Sequence, residues 1–121
     1  MTNRQRFLSY LRHYESKHLE QISEMFAEDV TLRDWKFCVR GKPAAPAETK
    51  TNFEAARSIQ IHPLYLYESQ NAVAAELTIL VDGSDELFVV DVVDFDSDGK
   101  ITATRAFLGH GDGSPVIAPA A

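Results

Sequence analysis

Along residues 86–95 the side chains alternate between two faces, as they must in an extended strand. One face carries Leu87, Val89, Asp91, Val93 and Phe95, so Asp91 is a single acid among apolar neighbours. The other face carries Glu86, Phe88, Val90, Val92 and Asp94, with its acids at the ends. A carboxylate in apolar surroundings is costly unless it is paired or protonated. Asp91 is therefore either satisfied by backbone amides or a salt bridge, or it exchanges a proton at a site, where perturbed groups gather. Asp34 repeats the pattern more weakly. Val30, Leu32 and Asp34 share a face, and the acid ends the apolar stripe. A solvated strand-end acid, or a partner for Arg33 or Lys36, is the plainer account. Tyr10 lies on the apolar face of an amphipathic run, where a core tyrosine bonded to backbone is the commoner outcome. Two carboxyl groups and a phenol are the raw material of acid–base chemistry.

The elements that must position these groups are legible in the spacing. Phe7, Tyr10, Leu11 and Tyr14 fall at i, i+3, i+4 and i+7, which predicts a helix. Leu19, Ile22, Met25 and Phe26 repeat the pattern after Ser16-Lys17-His18, so a second short helix follows. Residues 30–34 alternate like a strand, 41–46 read as a Gly/Pro/Ala-rich loop, and 48–57 as a third helix carrying Phe53. Residues 59–68, 72–81, 86–95 and 101–108 are β-rich runs joined by Ser69-Gln70-Asn71, Asp82-Gly83-Ser84 and Ser97-Asp98-Gly99. Such short connections force antiparallel hairpins. Helices first and a meander second is an α+β pattern. The expected architecture is a cone-shaped, curved antiparallel or mixed sheet with three helices on its concave face. Residues 1–109 read as a single domain and 110–121 as a loose tail.

Composition narrows the function classes. The 121 residues are 45% hydrophobic, enough for one sizeable core. The net charge is −6, split as +2 over residues 1–60 and −8 over 61–121. The basic residues are scattered, so no dense cationic face meets nucleic acid. The acidic second half disfavours acidic substrates. No apolar run approaches a membrane span, and no signal-peptide pattern opens the chain. A cytoplasmic protein with no membrane partner is expected. The lone Cys38 excludes an internal disulfide framework and a cysteine-based zinc cage. His13, His18 and His62 lack metal-ligand spacing, and a metal at His110 and Asp112 is a poorer account of that glycine-rich run than a loose tail. The run from Asp94 to Gly99 begins like a calcium loop, but its twelfth position is Arg105, so a polar turn explains it better. No phosphate loop, dinucleotide fingerprint or serine elbow is present.

The chain resembles the nuclear transport factor 2-like superfamily, and within it the bacterial ketosteroid isomerases, over about residues 4–109. Residues 25–34 (Met-Phe-Ala-Glu-Asp-Val-Thr-Leu-Arg-Asp) are similar to that family's helix-to-strand junction, which ends in its catalytic base. On this register Asp34 falls on the base and Tyr10 on the oxyanion-hole tyrosine. Residues 99–109 (Gly-Lys-Ile-Thr-Ala-Thr-Arg-Ala-Phe-Leu-Gly) resemble the last strand, and counting back places Asp91 on the oxyanion-hole aspartic acid. Trp35 stands where a proline is usual, and Glu54 near where a second, supporting tyrosine is expected.

The resemblance implies a cofactor-independent isomerase that moves a C=C bond in a β,γ-unsaturated ketone, with no metal. Asp34 would be the ionised base. Tyr10 and a protonated Asp91 would be the donors to the enolate oxygen, a division of roles taken from that family. A polyketide cyclase or dehydratase using Asp34, marked by an inward-facing histidine, is one alternative. A non-catalytic ligand-binding or dimerisation domain, marked by a plugged pocket, is another. The expected lining is Phe7, Tyr14, Phe26, Trp35, Phe53, Val93, Ala106 and Leu108, around an apolar small molecule. Phe88, Val90, Val92, Ile101, Ala103 and Phe107 are expected on the opposite face, where an apolar patch calls for a homodimer.

Overall fold

Thr2 starts the first helix. Its hydroxyl accepts from the Gln5 backbone N–H while the Gln5 side chain takes the Thr2 N–H, a reciprocal capping box. The computed structural model describes residues 1–110, so the tail expected over 110–121 lies outside the described residues apart from His110. Helix α1 runs Asn3–Glu15 and α2 runs Leu19–Met25. Lys17, at φ 57°, reverses the chain between them, and its ammonium donates to the Ala56 carbonyl.

Strand β1 spans Phe26–Arg33 and β2 spans Cys38–Arg40. Phe26 therefore opens a strand rather than closing the second helix, and the three-residue β2 is too short for alternation to reveal. Helix α3 covers Ala44–Ala55. It begins inside the expected loop because Pro46 falls in the first turn, where a missing N–H costs nothing. Strands β3 (Ile59–Glu68), β4 (Ala72–Val81), β5 (Asp85–Phe95) and β6 (Ile101–Gly109) form the meander. Asp82, Gly83 and Ser84 form the three-residue connection from β4 to β5, and Asp82 and Gly83 take φ 56° and 74° to reverse the chain.

The six strands make one sheet in the order β2-β1-β6-β5-β4-β3, with β1 parallel to β6 and all other pairs antiparallel. Register shifts interrupt β1, β3 and the β5–β6 pair, and such bulges bend a sheet. The helices cover one face, with α1 against β3 and β4, and α2 and α3 against β1. Phe7, Ile22, Phe26, Val30 and Ile101 meet in the core between the two layers. Phe7 is fully buried. Phe7→Ala should cost about 3–5 kcal/mol, read as a lower denaturant midpoint with the slope unchanged.

The shift between β5 and β6 corrects one expectation. Ala103 pairs with Asp94, but Ile101 pairs with Phe95, so Thr102 is the extra residue. The bulge flips Ile101 off the outer face and into the core, where it is fully buried. Phe88, Val90, Val92, Ala103 and Phe107 keep the outward parity. Among the described residues, no helix is long and apolar enough to cross a membrane.

Candidate active site

Strand β1 stops at Arg33, opposite Arg105 of β6. Leu32 and its partner Thr104 are both buried beneath the helices. Two residues further along, Asp34 and Ala106 face the same way. Ala106 pairs with Asp91, and Asp91 pairs with Ala75. Asp34 and Asp91 thus stand on one level of the sheet, two strands or about 10 Å apart. Ala106 and Ala75 flank Asp91 in the sheet. The short side chain of Ala106 lines the space above its carboxyl, while Ala75 is fully buried.

A cavity of about 660 Å³, counting its open mouth, occupies that space. Tyr10, Asp34 and Asp91 all line it. Its walls are otherwise mostly apolar, with Leu11, Leu32, Ile61, Leu77, Ile79 and Val89 among them. Tyr14, Trp35 and Ala106 line it as well. Phe7, Phe26, Phe53 and Val93 are not in the lining. They fill the core beside it, each 6% exposed or less. Leu108 is also absent, because β1 ends before reaching it. Beyond Arg105, β6 has a strand on one side only, and Leu108 is half-exposed.

Sequence patterning missed Thr49 and Asn52 of α3, Thr104 of β6 and Phe37 of the β1–β2 turn, all of which reach the cavity. One signal was available. Ala45, Thr49, Asn52 and Phe53 fall at i, i+4, i+7 and i+8, so two polar residues share the inward face of α3.

Each candidate group is held differently. Asp34 anchors the turn after β1. Its Oδ1 accepts from the backbone N–H groups of Lys36 at 2.6 Å and Phe37 at 3.0 Å. Its own N–H donates to the Phe37 carbonyl. Among the described residues Oδ2 takes no hydrogen bond, so the carboxylate is fixed through one oxygen with the other free. Burial pushes the Asp91 carboxyl up to about 7, against the Val92 backbone N–H and the Arg105 charge, which favour the ionised form. At neutral pH a large share of Asp91 carries its proton. Burial, and then the charge on Asp91, raise Tyr10 well above the usual phenol range, so it stays a donor. Tyr14 is pushed up to about 12, chiefly by burial.

Every fully buried side-chain nitrogen or oxygen among the described residues has a hydrogen-bond partner. Tyr10 and Asp91 are not bonded to each other or to another side chain. Their polar ends therefore open on the cavity. Tyr10 meets Tyr14 edge-on with centroids 6.0 Å apart, and Tyr14 meets Phe53 at 4.8 Å. Two O–H donors thus face a free carboxylate oxygen across an apolar space, with no cluster of three or more potential metal ligands among the described residues. The arrangement can lift a proton from an apolar molecule and stabilise the anion that remains.

Residues 7–104 match the family model described as a SnoaL-like domain. The chain is 32% identical over 112 residues to the steroid delta-isomerase of Nocardioides simplex, covering 82% of this chain and 81% of that one. Among solved structures it is similar to the epoxide hydrolase/cyclase-like enzyme SalBIII, at 26% identity and a TM-score of 0.78, covering 91% and 92% of the two chains. An NTF2-like protein from Cytophaga hutchinsonii superposes with a TM-score of 0.75 at 14% identity, over 90% and 91%.

Proposed function

The chain belongs to the SnoaL-like domain family, within the NTF2-like fold, and from that premise we propose that it is a cofactor-independent isomerase of β,γ-unsaturated ketones. One observation carries the reading: Tyr10, an Asp91 whose burial favours its protonated form and a carboxylate with one free oxygen, Asp34, share a single apolar cavity. The 32% identity to a steroid delta-isomerase supports it.

The chemistry follows from where charge develops. The substrate's ketone oxygen lies against the Tyr10 and Asp91 hydroxyls. Asp34 Oδ2 takes a proton from the carbon between the carbonyl and the double bond. The C–H electron pair becomes the new enol double bond, and negative charge collects on oxygen. The two donors stabilise that oxyanion in a space with little water. Asp34 then returns its proton to the far alkene carbon, the carbonyl re-forms, and the C=C bond ends in conjugation. Atoms and electrons balance with no redox partner. Asp34 must be ionised and Asp91 neutral for the cycle to start.

The cyclase or dehydratase alternative calls for a histidine beside Asp34, and among the described residues none lines the cavity. The test is absorbance of the conjugated enone during incubation with a steroidal or a monocyclic β,γ-unsaturated ketone. Conversion that depends on Asp34 is expected. No conversion of either substrate removes the isomerase reading.

We propose further that the protein is a homodimer joined through the outer sheet face. Tyr65, Glu76, Val90 and Phe107 are paired in one row across β3, β4, β5 and β6. Tyr65 is 63% exposed, Phe107 51% and Val90 40%, and an apolar surface of this kind favours burial. Light scattering at micromolar concentration should give twice the 13.5 kDa chain mass, and Phe107→Glu should return it to the monomer value. A wild-type monomer mass counts against the dimer.

A further inference from the structure

The proton transfer described above uses Tyr10, Asp34 and Asp91. It leaves a second phenol in the same cavity without a role. Tyr14 stands one helical turn beyond Tyr10 on α1, and its ring is wedged edge-on against Phe53. Asn52 Nδ2 donates to Tyr14 Oη at 3.3 Å. A phenol that accepts one hydrogen bond still has its own hydrogen to place. No side chain or backbone group among the described residues accepts it. Tyr14 lines the cavity, so a bound molecule is the acceptor within its reach. Asn52 lines it as well, and its carbonyl oxygen remains an acceptor.

We infer that Tyr14 and Asn52 form a second polar subsite, which binds a hydroxyl or carbonyl oxygen of the substrate other than the reacting ketone oxygen. The inference rests on the isomerase reading, which places the first oxygen at Tyr10 and Asp91. Tyr14 O–H supplies the hydrogen bond, and Asn52 holds the phenol in place and can accept from a hydroxyl. The Tyr14 ring neighbours the Tyr10 ring, with centroids 6.0 Å apart, so the second subsite adjoins the first. A ketone that fills both carries a second oxygen near the first. Tyr14 and Asn52 are thus specificity-determining residues for a dioxygenated, compact, otherwise apolar ketone.

Calorimetric titration of the full chain tests this. One probe is 2-naphthol, whose single hydroxyl mimics the enolate oxygen at Tyr10 and Asp91. The others are dihydroxynaphthalene isomers that add a second hydroxyl at different spacings. The wild-type protein should bind the best-fitting isomer about three- to tenfold more tightly than 2-naphthol, the worth of one added hydrogen bond. Tyr14→Phe keeps the ring against Phe53 and should bring that ratio to about one. Asn52→Ala should lower it part of the way. A wild-type protein that prefers no isomer over 2-naphthol overturns the inference. So does a Tyr14→Phe variant that weakens both probes by the same factor and leaves the ratio intact, because Tyr14 would then act on the shared oxygen. Failure of the isomerase reading is seen separately, as absent conversion of a β,γ-unsaturated ketone, since the affinity ratio needs no turnover.

Discussion

Replacing Asp34 by Asn is expected to lower turnover of a β,γ-unsaturated ketone by about a hundred- to ten-thousand-fold, the usual worth of a positioned base. Asn52, Tyr10 and Asp91 are untouched by the change. The amide fills the same space, and its carbonyl oxygen can still accept from the Lys36 and Phe37 N–H groups that anchor the turn. What is lost is basicity at the position of Oδ2. The substitution should therefore act on kcat, with ligand affinity kept within a few-fold. Conjugated-enone absorbance gives the rate, and calorimetric titration with 2-naphthol gives the affinity. Turnover within tenfold of wild type would mean that Asp34 is not the base.

Asp91 should show its role through pH. Its carboxyl donates a hydrogen bond only while protonated, and burial holds its pKa at about 7. As pH rises through 7 the proton leaves, a negative charge faces the developing oxyanion, and kcat/KM should fall. Asp91→Asn keeps an N–H donor that does not titrate, so that basic limb should disappear. Asp91→Ala removes the donor and should lower kcat about a hundred- to a thousand-fold while Tyr10 still holds the substrate oxygen.

Stability should follow the same titration. The folded pKa of about 7 lies above the ordinary carboxyl value of 3.8, so the folded state binds the proton more tightly than the unfolded chain. That contribution is complete below about pH 3.8 and is lost as pH rises through 7. Asp91→Asn should therefore gain on wild type between pH 4 and pH 8, by up to about 4 kcal/mol less whatever solvent in the cavity screens. Denaturant midpoints of the two proteins across this range measure the gain. Parallel midpoint–pH curves would mean that Asp91 ionises without penalty.

Most of the fold was legible because its periods are clean. The four long strands and their turns follow from alternation and from the Asp-Gly and Ser-Gln-Asn connections, all of which are local signals. Helix α1 follows from Phe7, Tyr10, Leu11 and Tyr14. The errors fall where local rules conflict. Phe26 continues a helical period yet begins β1, because pairing with Ile101 buries it completely enough to override the pattern. Pro46 reads as a loop residue yet lies in the first turn of α3, a position that tolerates it.

Residue type and alternation mark the groups that could do chemistry. An acid interrupting an apolar stripe is visible at Asp91 without coordinates, because strand alternation is obligatory. What surrounds these groups depends on long-range packing. The end of β1 opposite Arg105 sets Asp34 on the level of Asp91, and the short side chain of Ala106 beside Asp91 lines the space above it. Packing turned Phe7, Phe26, Phe53 and Val93 into core rather than lining, while it brought Asn52 to Tyr14 across 38 residues of chain. A bulge at Thr102 sent Ile101 inward against its parity. Periodicity assigns a side chain to a face. Cavity walls depend on the register and bulges of strands far apart in sequence, and on which side chains are too short to fill the gap between layers.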